Sequence, residues 1–384
     1  MRLRGLGMAL TNYKLGELVE LVSNTNSENK YGPDDVRGMT ITKEIIPTKA
    51  DVMETDLSKF LVVEPGEFIY NPRTHGKKIG FGYNNTSDTF IISWNNIAFR
   101  VKPSMKDVVL ADYLFLHFKR DEWDREACFQ SWGSSTEVFS WETLCDMSVD
   151  LPSLKVQQKY VGVYNAMVAN QKSYEHGLED LKLAMDSFYD KLKSCRTKKI
   201  AEIIKTRSNK NTDFSVPFSQ LRGINESGEF TTTRDSIRAD DIDKYLIVDN
   251  ETYAVNFMCL GNFGKFYLAY NDFGEKYLVS PACNIFQLID QSIDPYYFTY
   301  VLQRSEFQRK CVFYGDGNTR GGINIADFSN IEIPVPTKEE QTIISNLYRS
   351  FENRRKLNDK LKNQLKDICP ILIKGSVEEA KQEE

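Results

Sequence analysis

The feature that most constrains this 384-residue chain is that it repeats itself. Lys14-Leu15-Gly16-Glu17-Leu18-Val19 matches Lys199-Ile200-Ala201-Glu202-Ile203-Ile204 at an offset of 185. The same offset pairs Ser23-Asn24-x-Asn26 with Ser208-Asn209-x-Asn211, and Arg37-Gly38-Met39 with Arg222-Gly223-Ile224. It also pairs Asp56-Leu57-Ser58-Lys59-Phe60-Leu61-Val62-Val63 with Asp241-Ile242-Asp243-Lys244-Tyr245-Leu246-Ile247-Val248, and Asn71 with Asn256. Farther on, Met147–Pro152 aligns with Ile331–Pro336 at 184, and Gln157 falls on Gln341. One such match is chance; a series in register is a tandem duplication, so both halves must satisfy one architecture.

Each copy opens β-rich. Phe60–Val63, Phe68–Tyr70, Thr89–Trp94 and Ala98–Val101 are β-branched or aromatic runs with turn residues between them, as are Tyr245–Val248, Tyr253–Val255, Phe266–Tyr270 and Tyr277–Val279. A short helix is predicted next, Asp112–Lys119 and Pro295–Gln303. A loop rich in Gly, Ser, Thr and Asn follows, then a strand ending in Pro.

Beyond that Pro each copy turns helical. Tyr174, Leu178, Leu181, Met185, Phe188, Leu192 and Cys195 step four-three, an apolar seam on a helix predicted from about Ser153 to Arg196. A seam this narrow favours a helix partner over the domain's own core. The second copy supplies Ile344, Leu347, Phe351, Leu357, Leu361, Leu365 and Ile368, interrupted by Arg354, with Pro370 expected to end the helix near Ile368. The expected fold is α+β: two β-rich domains alternating with two long helices, paired as an antiparallel coiled coil in a pseudo-two-fold duplication. The interface residues are Leu178, Leu181, Met185, Phe188, Leu192, Leu361 and Leu365.

Catalytic chemistry is poorly supplied. The seven cysteines contain no Cys-x-x-Cys, and the three histidines (75, 117, 176) show no metal-ligand spacing. No metal and no cofactor is implied. Tyr70-Asn71-Pro72-Arg73 approaches the Asn-Pro-Pro-aromatic motif of adenine methyltransferases, but no glycine-rich cofactor loop accompanies it, and Asn256 is followed by Phe257. No Gly-Lys-Ser/Thr follows the glycines at 261, 264, 315 and 317, which excludes a P-loop. No apolar run is long enough to span a membrane, and a cytoplasmic protein is expected. The net charge of −5 requires any anion-binding surface to be a local patch.

These features together resemble the specificity subunit of type I restriction-modification systems. The resemblance covers essentially the whole chain. Its most telling pieces are Ile333-Pro334-Val335-Pro336-Thr337-Lys338-Glu339-Glu340-Gln341 and Val149-Asp150-Leu151-Pro152-Ser153-Leu154-Lys155-Val156-Gln157, the strand–Pro–Glu/Gln start of each long helix. Val156 departs from this pattern where Glu340 keeps it. The resemblance implies two target-recognition domains, 1–150 and 199–335, alternating with helical spacers, 151–198 and 336–384. It implies a non-catalytic subunit that reads a bipartite site in double-stranded DNA, one half per domain. Its helices set the spacing and dock two methyltransferase (modification) subunits, which restriction subunits then join. A stand-alone adenine methyltransferase and a coiled-coil scaffold without DNA are the alternatives.

On that reading the DNA-facing residues are basic and amide side chains in loops. Asn71, Arg73, His75, Lys77 and Lys78 cluster in the first domain, and Asn256, Asn262 and Lys265 hold the matching place in the second. The later loops add Ser134, Ser135 and Thr136, matched by Asn318, Thr319 and Arg320. Arg and Lys suit guanine O6/N7, Asn suits adenine N6/N7, and all of these types hold phosphate.

Overall fold

A computed structural model describes residues 10–75, 78–131, 138–192, 195–232, 239–259, 264–315 and 322–382. The chain divides into two units, Met1–Ser173 with Asn358–Glu384, and Tyr174–Leu357. Each holds one β-rich copy together with part of each long helix.

The first copy runs β1 (Leu10–Lys14), α1 (Leu15–Leu18), β2 (Val19–Val22), β3 (Arg37–Met39), β4 (Ile45–Pro47), β5 (Leu61–Val63), β6 (Glu67–His75), β7 (Lys78–Tyr83), β8 (Phe90–Ile92), β9 (Ile97–Val101), α2 (Ala111–Phe118), α3 (Asp121–Phe129), α4 (Trp141–Asp146), β10 (Ser148–Pro152) and α5 (Leu154–Lys191). The second repeats it: β11 (Thr197–Lys199), α6 (Ile200–Ile203), β12 (Ile204–Arg207), β13 (Arg222–Ile224), β14 (Phe230–Thr232), β15 (Leu246–Val248), β16 (Thr252–Asn256), β17 (Tyr267–Asn271), β18 (Tyr277–Val279), β19 (Asn284–Leu288), α7 (Pro295–Gln303), α8 (Ser305–Tyr314), α9 (Ile325–Asn330), β20 (Glu332–Pro334) and α10 (Lys338–Gln382). A four-stranded antiparallel sheet of order β2-β9-β6-β7 in one unit is matched by β12-β19-β16-β17 in the other. The pairs β1–β10, β3–β4 and β5–β8 recur as β11–β20, β13–β14 and β15–β18.

Both faces of the central sheet are covered, so its strands read as unbroken apolar runs and not as alternation. Phe68, Tyr70, Phe81 and Phe99 point to one side, into a core with Tyr113, Leu114 and Phe118 of α2 and Trp123 of α3. Ile69 and Ala98 point to the other, against Val63, Phe90 and Ile92 of the β5–β8 pair. Tyr253, Val255 and Phe286 against Ala254 and Ile285 repeat the division.

The third helices, α3 and α8, lie outside the elements the sequence suggested. The first long helix spans 38 residues and the second 45. Pro370 does not end the second one; it lies inside α10. A proline there lacks the N–H for one helical bond and costs about 3 kcal/mol. Cys369 just before it and Leu372 and Ile373 beyond it are buried in the core of the first unit, and the Ser376 hydroxyl meets Tyr113 OH at 2.7 Å in a buried setting. Burying two leucine-sized side chains at roughly 1.5–3 kcal/mol each outweighs the penalty.

Both long helices start on a buried glutamine. Gln157 accepts from the Leu110 N–H at 2.9 Å and donates to the Val108 and Pro152 carbonyls at 2.9 and 2.8 Å. Gln341 accepts from Asp294 N–H at 2.8 Å and donates to Ser292 and Pro336, both at 3.0 Å. Glu340 also closes a capping box, accepting from the Thr337 N–H and hydroxyl at 2.9 Å, while Thr337 Oγ1 accepts from Glu340 N–H. Val156, in Glu340's place, is buried instead.

Within the first unit the two helices pack antiparallel: Lys159 and Tyr160 reach Glu379 at 2.7 and 3.0 Å, whereas Gln171 donates to Asn358 at 3.0 Å. In the second unit Arg354, the apparent interruption of the seam, lies over the Tyr174 ring at 5.0 Å. Gly177 makes the room, since a Cβ there would run into the Arg354 guanidinium.

Candidate nucleic-acid interface

In the first unit, β6 and β7 form a hairpin whose register slips between Tyr70 and Thr74. Asn71, Pro72 and Arg73 therefore bulge opposite Gly80. The bulge is tied down from two sides. Asn71 Oδ1 accepts from the Arg73 N–H at 2.9 Å, and Pro72 O accepts from the Phe139 N–H at 2.7 Å. Arg73 also forms a bridge with Val138, which leaves its side chain exposed. The segment entering α4 is thus held against the hairpin.

The second unit builds the same corner from other residues. Asn256 Oδ1 accepts from the Met258 N–H at 3.0 Å, repeating the Asn71 turn. Gly322 lies against Phe257, with the site of a Cβ 3.3 Å from the Phe257 carbonyl oxygen. In both units, hairpin residues and the chain following the late loop are brought together although they are distant in sequence. Met258 occupies the place of Arg73, and it too is exposed.

The other expected contacts fall as follows. Lys78 is half-exposed, and its ammonium lies 3.0 Å from Asp121 Oδ1 at the start of α3. That bond raises the Lys78 pKa and holds Asp121 below the usual carboxylate range. Lys265 is bridged to Glu226 in the same manner. The backbone of His75 ends β6, paired with Lys78. Lys77, Ser134, Ser135, Thr136, Asn262, Asn318, Thr319 and Arg320 lie outside the described residues.

Of the expected helix-interface residues, Met185 and Leu192 are buried in the core of the second unit, where Ile344 and Tyr348 of α10 also lie, with Phe188 packed against it. That core includes Tyr297, Phe298 and Val301 of α7, so the seam faces its own domain as well as a helix. Leu178 and Leu181 are half-buried in the same unit. Leu361 and Leu365, also half-buried, belong to the first unit and are not brought together with that set.

One buried ion pair, which the sequence did not flag, distinguishes the units. Lys43 Nζ lies 2.9 Å from Asp124 Oδ2, both side chains 3% exposed, and donates to the Phe118 carbonyl. Burial lowers the Lys43 pKa and raises that of Asp124, each opposed by the partner's charge. It pins the β3–β4 turn onto α2 and α3. The second unit has Gly228 and Gln308 in these places. Among the described residues no group of acidic, His and Cys side chains suits a metal ion, and no helix is long and apolar enough to cross a membrane.

Comparison with known proteins agrees with this geometry. Residues 195–367 match the type I restriction modification DNA specificity domain. Over 98% of both chains, the fold matches the crystal structure of a type I restriction-modification system S subunit from M. genitalium, with a TM-score of 0.62 at 11% identity. Two other structures align more loosely. One, described as showing complex assembly and conformational transition of the type I R-M system, has a TM-score of 0.46 at 13% identity, covering 96% of this chain and 98% of the other. The HsdS subunit from Thermoanaerobacter tengcongensis has a TM-score of 0.37 at 13% identity, covering 96% of each chain. No curated protein matches the chain. The matched domain falls on the second copy.

Proposed function

We propose that the chain is a DNA-specificity subunit of a type I restriction-modification system, the non-catalytic component of such a system, and that each unit reads one half of a split site in double-stranded DNA; the specificity-domain match and the shared fold support this reading. The observation that carries this reading is the pair of matching corners with different outward residues. An Asx-type turn on Asn71 displays Arg73; the same turn on Asn256 displays Met258. A guanidinium pairs bidentately with guanine O6/N7, whereas a thioether offers only apolar contact, as to a thymine methyl. Two corners built on the same asparagine turn and presenting different chemistry are what unlike half-sites require.

In this reading residues 1–150 and 199–335 are the recognition domains, while 151–198 and 336–384 hold them at a set spacing and dock two methyltransferase subunits, which restriction subunits join. The 38-residue α5 is roughly 57 Å long at 1.5 Å per residue, enough for more than one duplex turn. Lys77, Lys78 and Lys265 serve phosphates, as do Thr136, Thr319 and Arg320. Asn71 and Asn256, whose amide oxygens hold their own turns, keep their Nδ2 groups as donors to an acceptor on DNA.

Methylome sequencing of cells carrying the system is expected to show an asymmetric bipartite motif. Exchange of residues 199–335 for those of a relative changes one half of it, and Arg73→Ala relaxes only the other half. A contiguous motif, or a change in both halves on exchange, would refute the reading.

A further inference from the structure

The exposed faces of α3 and α8 carry the same three side chains. Glu122, Arg125 and Phe129 stand at i, i+3 and i+7, one stripe of a helix, and Glu306, Arg309 and Phe313 stand at the same positions 184 residues later. All six are exposed, Phe129 to 88% and Phe313 to 82%. The buried faces of the same helices have diverged: Trp123 has become Phe307, Asp124 has become Gln308, and Ala127 has become Cys311. Surfaces ordinarily drift faster than cores. Here the core side has changed and the surface side has not.

Glu122 and Arg125 bridge each other at 3.4 Å and Glu306 lies 3.6 Å from Arg304, but the fold gives no reason for the ring. A phenylalanine that remains more than four-fifths exposed contributes little burial to its own unit, and it appears twice. Nor can a feature common to both units discriminate between unlike half-sites. What the two units share must meet something that is the same at both.

Building on the proposal that two methyltransferase subunits dock on this chain, we infer that each Glu-Arg-Phe stripe is the docking point for one copy of that same protein partner. The chemistry favours protein over DNA. The ring that ends each stripe offers a phosphate nothing, and in α3 the carboxylate of Glu126 adds to that of Glu122. The complement is a partner surface with an apolar pocket for the ring, a carboxylate for the arginine and a cation for the glutamate. An aromatic anchor beside an arginine is the usual composition of an interface hot spot.

The test uses the full chain and the modification subunit of its own system, titrated by isothermal calorimetry with light scattering for stoichiometry. The unaltered chain is expected to bind two copies. Phe129→Ala weakens one of the two binding events by about 30-fold or more, as expected for loss of an aromatic anchor, and Phe313→Ala weakens the other. The double variant loses both. Phe273→Ala, an exposed ring in the turn after β17, leaves both intact. If the unaltered chain binds no modification subunit, the partner reading fails and this inference with it. If it binds two copies and the double variant does as well, the reading stands and the docking point is wrong. If the double variant keeps its partners but loses DNA affinity, the stripes are DNA contacts and the inference is overturned.

Discussion

Lys78 is the expected phosphate contact whose surroundings permit the sharpest test, because its ammonium already has a partner. Nζ lies 3.0 Å from Asp121 Oδ1, with the side chains 43% and 68% exposed. A pair this open contributes about 0–1 kcal/mol. To grip DNA, Lys78 must exchange that carboxylate for a phosphate, so Asp121 acts as a competitor. Lys78→Ala is expected to weaken binding and to reduce the slope of log affinity against log salt by about 0.9, one phosphate contact. Asp121→Asn removes the competitor and strengthens binding, at most about five-fold if the pair is worth about 1 kcal/mol. The two effects are coupled, and in the Lys78→Ala background Asp121→Asn gains much less. Fluorescence anisotropy of a cognate duplex at several salt concentrations, with the chain assembled with its modification subunits, measures all four corners of the cycle. An unchanged affinity and slope for Lys78→Ala would refute the assignment. So would a gain from Asp121→Asn that persists in full without Lys78.

Two further expectations concern the frame. Gln341→Leu leaves Asp294 N–H and the Ser292 and Pro336 carbonyls without their partner, at about 1–3 kcal/mol for each group that stays dry, so with one or two of the three staying dry urea denaturation should show a loss of roughly 1–6 kcal/mol; less than about 1 would mean that water replaces the amide. Asp290 is held at about 2 by the hydrogen bond from the Lys198 ammonium, aided by Ser292. Its pKa is depressed on folding, so this stability is present above the ordinary carboxylate range and is lost as pH falls through about 2. Asp290→Asn should therefore cost about 2 kcal/mol at pH 7 and progressively less below pH ~4, and an equal cost at pH 7 and pH 2 in denaturant melts would contradict the linkage.

The duplication made the architecture legible because retained residues mark positions that the fold needs. Asn26 and Asn211 each bracket a turn with a pair of bonds, to Tyr31 and to Val216. Arg37 and Arg222 each hold carbonyls of the preceding 3-10 turn. Gln157 and Gln341 could be paired from the sequence, but their three bonds apiece run to loops whose approach only the folded chain reveals. The third helices were hidden because Asp121–Phe129 is dominated by charge, and its inner face includes Asp124, which becomes an acceptable core residue only when Lys43 arrives from 81 residues away. Pro370 marks a helix end by propensity alone, and propensity leaves out the core that the last turns of α10 enter. As loop amides Asn71 and Asn256 suit base contacts, yet their oxygens already accept from the Arg73 and Met258 N–H groups in the turn.

The ion pair Lys43–Asp124 also sets the grain at which specificity can be exchanged. Lys43 and Gly228 occupy the same left-handed turn, at φ 65° and 76°. A side chain at Gly228 has no room, since its Cβ would fall 2.6 Å from both Leu268 O and Gln303 Nε2. A graft that carries Gly228 into the first unit without Gln308 leaves Asp124 buried beside an empty place, at a cost on the order of 3–5 kcal/mol for an uncompensated charge. The reverse graft forces a lysine into closed space with Gln308 in place of its carboxylate. The β3–β4 turn and α3 must therefore travel together in any exchange between the units. On the proposed reading, single outward residues such as Arg73 and Met258, each two residues after the asparagine of a shared turn, are the level at which one half-site is retuned without disturbing the frame.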